Sequence, residues 1–159
     1  MCKRFTILIT TMTEHFENAN RPNPLINGGG MLFDVIHYAG DRIKVAGDIL
    51  DFLDFFTSDD TLPYDESVVA KRITNSPDAI PLLREFRDEL TKQDDFTHTA
   101  LEQLMQRFME TKQIKTNQII HALRVAVTGK SVGLGMFETL EILGKERVLR
   151  RIGRALTLT

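Results

Sequence analysis

A chain of 159 residues with 42% apolar content and a formal net charge of -2 suits one soluble domain, or a pair of small helical subdomains, with a real core. No apolar run approaches the ~18 residues of a membrane span, and Phe5 to Ile9 is too short for a signal-peptide core, so no membrane association and a cytoplasmic location are expected. One cysteine, Cys2, excludes an internal disulfide, and His15, His37, His98 and His121 lack the spacing of a structural zinc site, so neither a metal nor a cofactor is expected.

The first thirty residues read as a separate piece. FTILITT has strand propensity, while ENANRPNPLINGGG is turn and linker chemistry. From Leu32 the period becomes helical. Ile43, Val45, Ala46, Ile49, Leu50, Leu53 and Phe56 fall at three-and-four spacing, predicting a core-facing helix from about Arg42 to Phe55 that TSDDTLP then breaks.

Tyr64 to Ile73 is a short helix candidate. Ser76-Pro77 has the form of a serine cap with proline at the first helical position, and Ile80, Leu82, Leu83, Phe86 and Leu90 form the apolar face that follows. Thr97 to Lys112 is another helix with Leu101, Leu104, Met105 and Phe108 inward, a stripe better read as core than as a cofactor box. Thr116 is placed to cap a helix running to about Val127. After a glycine loop come Phe137 to Leu143, a break at Gly144, and Lys145 to Leu156. With no strand alternation after residue 30, the expected fold class is all-α, a multi-helix bundle.

The glycine loop sits in AVTGKSVGLG, Ala126 to Gly135, and Gly129-Lys130-Ser131 invites comparison with a nucleotide-binding P-loop. That motif requires a glycine five residues earlier so that backbone N–H groups can converge on phosphates, and the residue there is Arg124. The flanks read as helix on both sides, where a P-loop follows a strand. A phosphotransferase is therefore excluded, and a rigid surface turn remains.

Charge is distributed unevenly. From His121 onward seven basic residues face three acidic ones, leaving the first 120 residues at -6. A basic C-terminal part on an acidic body suits a module that touches a polyanion with one end, and it equally suits a solvated helix with cations near its C-terminus. Arg147, Arg150, Arg151 and Arg154 recur at three-and-four spacing, with Val148, Leu149 and Ile152 apolar. Together with Lys130 and Lys145 they are candidate phosphate contacts; a merely amphipathic surface helix fits the same spacing.

The stretch HALRVAVTGKSVGLGMFETLEILGKERVLRRI, His121 to Ile152, resembles the C-terminal anticodon-binding region of bacterial-type glutamyl-tRNA synthetases, in which a P-L-R-[VA]-A-[LV]-T-G run leads through a loop to P-G-L-F-E and a G-[KR]-E-R helix. AGDRIKVAGDIL and FFTSDDTLPYDE resemble the start of that region's helical cage, so the likeness runs from about Val35 to Leu156. Catalytic signatures of the H-I-G-H and K-M-S-K-S kinds are absent from the sequence. The resemblance therefore implies the tRNA-reading half alone, with a catalytic half in cis or in trans as its partner. It further implies a helical cage over about 31–112, an anticodon-loop subdomain over about 113–159, and an N-terminal segment, 1–30, outside both.

Arg124 falls on the family's arginine that meets the anticodon, a use suited to a planar, permanently charged, multiple donor. Gly133, Leu134 and Met136 fall on the loop that contacts the first two anticodon bases. Where the family commonly has threonine-proline-glycine-leucine, this chain has Gly133-Leu134-Gly135-Met136. Arg42 is placed where an arginine distinguishes glutamate from glutamine anticodons, so the implied partner is a glutamate tRNA, with glutamine tRNA as a relaxed alternative. The rival reading is a helical protein-interaction module that keeps the fold and has lost RNA binding.

Overall fold

The computed structural model describes residues 30–158, which divide into two compact units with the boundary between Thr57 and Ser58. The readings made for FTILITT and the proline-glycine linker lie outside the described residues. No strand occurs among those described, in keeping with the all-α expectation.

In the first unit, helix α1 spans Gly30–Ala39 and buries Leu32, Val35 and Ala39. A 3-10 turn, Gly40–Arg42, follows, and a 3-10 stretch runs over Ala46–Phe55 and packs on α1. The expected α-helix from Arg42 is thus corrected in both type and start. Ile43 and Val45 precede the stretch, and Val45 is 62% exposed. The buried apolar residues are Ile49, Phe52 and Phe55, and the stretch is two short 3-10 segments that meet at a kink at Phe52, φ -111° and ψ 20°. Asp48 starts the stretch by accepting from the Lys44 and Val45 backbone N–H groups at 2.7 and 3.0 Å, bonds that hold its carboxyl below the ordinary range.

The second unit opens with helix α2, Glu66–Val69, which continues as a π-helical turn over Ala70–Thr74. Asp65 caps it, accepting from the Ser67 and Val68 N–H groups at 3.0 and 3.2 Å and from the Ser67 hydroxyl at 2.6 Å. Helix α3 spans Ala79–Lys92 and α4 spans His98–Lys112. Ser76 does not cap α3: its hydroxyl donates to the Lys71 carbonyl, and Ser76-Pro77 forms a turn that ends before Ala79. Pro81 still lies in the first turn of α3, where a missing N–H costs nothing.

Thr116 likewise sits inside a short 3-10 turn, Thr116–Gln118, whose Gln118 side chain accepts from the Lys115 N–H at 2.8 Å. Helix α5 then runs over Ile120–Thr128, α6 over Met136–Leu143 and α7 over Lys145–Ala155, with Gly144 at φ 75° making the sharp corner between the last two. Helix α7 packs against α3, α5 and α6, and α4 packs against α6. The shared core includes Leu83, Phe86, Leu101, Met105, Leu123, Leu140 and Ile152, with Phe86 and Phe108 edge to face at 5.2 Å. The apolar stripe read on α4 is buried throughout.

Candidate nucleic-acid interface

The loop between α5 and α6, residues 129–135, is built from its entry. Gly129 ends α5 in the left-handed region at φ 76°, with its N–H on the Val125 carbonyl at 2.9 Å. A Cβ at this position would also collide with the Pro63 carbonyl. Position 129 is therefore closed to other residues twice over, by conformation and by space. Thr128, buried beneath it, donates from its hydroxyl to the Arg124 carbonyl at 2.8 Å and lies 3.1 Å from the Lys130 carbonyl.

Arg124, half-buried in the middle of α5, reaches across the loop and donates from Nη1 to the Leu134 carbonyl at 2.6 Å. Gly133 lies against the same guanidinium, with room for a Cβ 3.6 Å from Nη1. The structure thus brings Arg124, Gly133, Leu134 and Met136 together, as the sequence places them. Leu134 is 2% and Met136 5% exposed, so these side chains fasten the loop to the bundle and do not offer apolar surface outward. The outward apolar group is Val132, 73% exposed between Lys130 and Gly133, which the sequence reading passed over. Its signal was a β-branched residue at the tip of a loop that otherwise reads as glycine and polar.

Leu140 is core, whereas Phe137 is half-buried. Leu140 is fully buried, and Phe137 packs edge to face on His98 at 5.7 Å, beside a His98–Glu138 contact of 3.6 Å. Arg42 occupies the 3-10 turn of the first unit and is exposed.

The basic face of α7 turns largely inward. Asp59, 8% exposed, accepts from Arg151 Nε at 2.7 Å and Arg147 Nε at 3.0 Å on one oxygen, and from Arg150 Nε at 3.1 Å on the other. Burial alone would raise the Asp59 pKa; the Arg151 hydrogen bond and the charges of Arg147 and Arg151 outweigh it and hold the carboxyl below its ordinary 3.8. Arg151 is wholly buried and also donates to the Val127 carbonyl at 2.7 Å. Its place in an exposed phosphate-binding face is therefore corrected: an enclosed guanidinium already engaged by a carboxylate cannot meet a phosphate.

Arg154 donates to the Asp59 and Leu62 carbonyls at 3.1 and 2.7 Å and lies over the Tyr64 ring at 5.1 Å. Lys145 donates to the Gln93 carbonyl at 2.8 Å. Arg150 keeps 62% of its side chain exposed and holds the most open position of the six, while Lys130 is half-buried at the loop, as are Lys145, Arg147 and Arg154. A signal for the buried arginine existed in the sequence. Val148, Arg151, Ile152 and Ala155 share one helical stripe, so the apolar periodicity itself carries a charge inward.

Comparison with known proteins agrees with this architecture. A family profile described as "Anticodon binding domain" matches residues 9–156. The glutamate–tRNA ligase of Moorella thermoacetica is 37% identical over 76% of this chain and 24% of its own length, and that of Thermus thermophilus is 33% identical over 88% and 30%. A solved structure, the glutamate tRNA ligase of Elizabethkingia meningosepticum in complex with its amino acid, superposes with a TM-score of 0.79 over 96% of this chain and 29% of that one, at 18% identity, which speaks to fold. The chain spans 24% to 30% of the length of these relatives. With the profile covering nearly its whole length, the chain belongs to the anticodon-binding domain family, in the form found in glutamate–tRNA ligases.

Proposed function

We propose that this chain binds the anticodon loop of a glutamate-accepting tRNA, or of both glutamate- and glutamine-accepting tRNAs, as the non-catalytic reading half of a cytoplasmic aminoacylation system. Its catalytic partner acts in cis or in trans. The observation that carries the reading is the Arg124 guanidinium held on the Leu134 carbonyl at 2.6 Å, beside Gly133. Anticodon bases are read when splayed against a rigid loop that offers main-chain groups and a planar cation, and this loop supplies both. Leu134 and Met136 serve by fixing the path of the main chain, and Arg42 is the residue assigned to the third base. Residues from about 113 onward form the part that meets the anticodon loop.

Of the basic candidates Lys130, Lys145, Arg147, Arg150 and Arg154, Arg150 supplies the foremost phosphate-facing charge because its side chain is the most open, at 62%. The test is binding to a glutamate tRNA transcript and to anticodon-substituted versions across a salt series. The expected result is a loss of about 1 to 3 kcal/mol on changing an anticodon base or on Arg124→Ala, with affinity weakening as salt rises. Equal binding to every transcript, or none, would instead favour the helical protein-interaction module.

A further inference from the structure

The last carbonyls of α5 are claimed one after another from outside the helix. Tyr64 donates its hydroxyl to the Ala126 carbonyl at 2.8 Å, with the Arg151 carbonyl 3.3 Å away. Arg151 Nη1 donates to Val127, and the Asp65 N–H donates to Gly129 at 3.1 Å. A helix end leaves its final four carbonyls without intrahelical partners, so each of these bonds satisfies a group that would otherwise need water. Three of the contributing features lie within seven residues of chain: Asp59 holds Arg151, Tyr64 bonds directly, and Asp65 bonds directly while also capping α2. Pro63 adds the fourth contact, its carbonyl lying where a Cβ of Gly129 would be.

We infer that residues 59–65 form a positioning strap for the recognition loop, with the Tyr64 hydroxyl and the Asp59–Arg151 pair as positioning groups that act through α5 on Arg124 and Gly129 to Leu134. The inference rests on the anticodon reading for its functional consequence, and on geometry alone for its mechanical one. The strap fixes the loop at its base, while the Arg124–Leu134 bond fixes it at its far side. The two anchors together set the spacing between the guanidinium and the main chain around Gly133. A loop held at one side only would sample several such spacings, and each base contact would weaken without any contact residue having changed.

Tyr64→Phe is the discriminating variant, since it removes one hydroxyl and keeps the ring beneath Arg154. Asp59→Asn is the stronger second variant. Two readouts are taken on each: amide hydrogen exchange along the whole chain, and the ratio of affinities for a glutamate tRNA transcript and an anticodon-substituted one. For Tyr64→Phe the expected result is faster exchange confined to residues 129–134, unchanged exchange in α3 and α4, and a discrimination ratio lowered by roughly three- to tenfold, the worth of one hydrogen bond. Binding to an unrelated single-stranded RNA stays the same. Exchange that is unaltered in the loop, or that rises equally across the bundle, overturns the strap and leaves Tyr64 as ordinary packing. Should the unsubstituted chain fail to distinguish anticodons at all, the anticodon reading fails, while the exchange pattern still decides whether the strap holds the loop.

Discussion

Helix α7 and the loop before α6 give opposite lessons about where charge and flexibility are used. By sequence α7 is the basic element, with four arginines in ten residues, and the loop is a glycine-rich turn with one charge, Lys130. In the structure the helix directs Arg147, Arg151 and Arg154 onto Asp59 and the backbone carbonyls of residues 59, 62 and 127, whereas the loop is braced by Arg124 and turns Val132 outward. The cations of α7 are engaged largely in packing, with Arg150 left the most open, and Arg124 is the cation that braces the loop.

Removing the hub of the helix network gives the sharpest contrast. Asp59→Ala leaves the buried Arg151 without its carboxylate and is expected to cost about 3 to 5 kcal/mol, measured by urea unfolding. Acid tests the same group. Because Asp59 titrates below 3.8 in the folded chain, its contribution is complete above about pH 4 and is lost as pH falls through the lowered value; the Asp59→Asn variant should lack that part of the acid transition.

At the loop, Gly129→Ala forces a left-handed conformation on alanine and pushes its Cβ into the Pro63 carbonyl, so the loss is expected to exceed the ~1 to 2 kcal/mol of the conformation alone, in the same unfolding assay. Arg150→Ala separates the two uses of charge on α7. Its side chain is 62% exposed, so stability should change by less than about 1 kcal/mol. The salt dependence of RNA binding should nevertheless become shallower by about one phosphate contact. Equal destabilisation by Arg150→Ala and Asp59→Ala would dissolve the distinction between the inward and outward arginines.

Much of this was legible in the sequence where local periodicity and space agreed. Helices α6 and α7 begin and end within one residue of their sequence-based bounds, because Gly144 and the apolar spacing mark the same places. The 46–55 stretch was misread because its apolar residues satisfy three-spacing and four-spacing alike, and only packing selects between them. The caps at Ser76 and Thr116 failed for a related reason: a turn placed before each helix uses the capping residue elsewhere. At the site, the gathering of Arg124, Gly133, Leu134 and Met136 was legible because all four lie within thirteen residues. The Asp59 network was hidden, since its partners lie 88 to 92 residues away and its own neighbourhood, TSDDTLP, reads as an ordinary turn.

The 3-10 stretch over Ala46–Phe55 bends at Phe52, whose backbone leaves the helical region at φ -111° and ψ 20° while its side chain stays buried. Winding the segment as one continuous α-helix would remove that bend and change the register of Phe55 relative to Ile49. Helix-favouring substitutions that are harmless on α3 or α4 should therefore be selected against here, so that a survey of alanine tolerance along the chain would reveal this segment by its aversion to better helix formers.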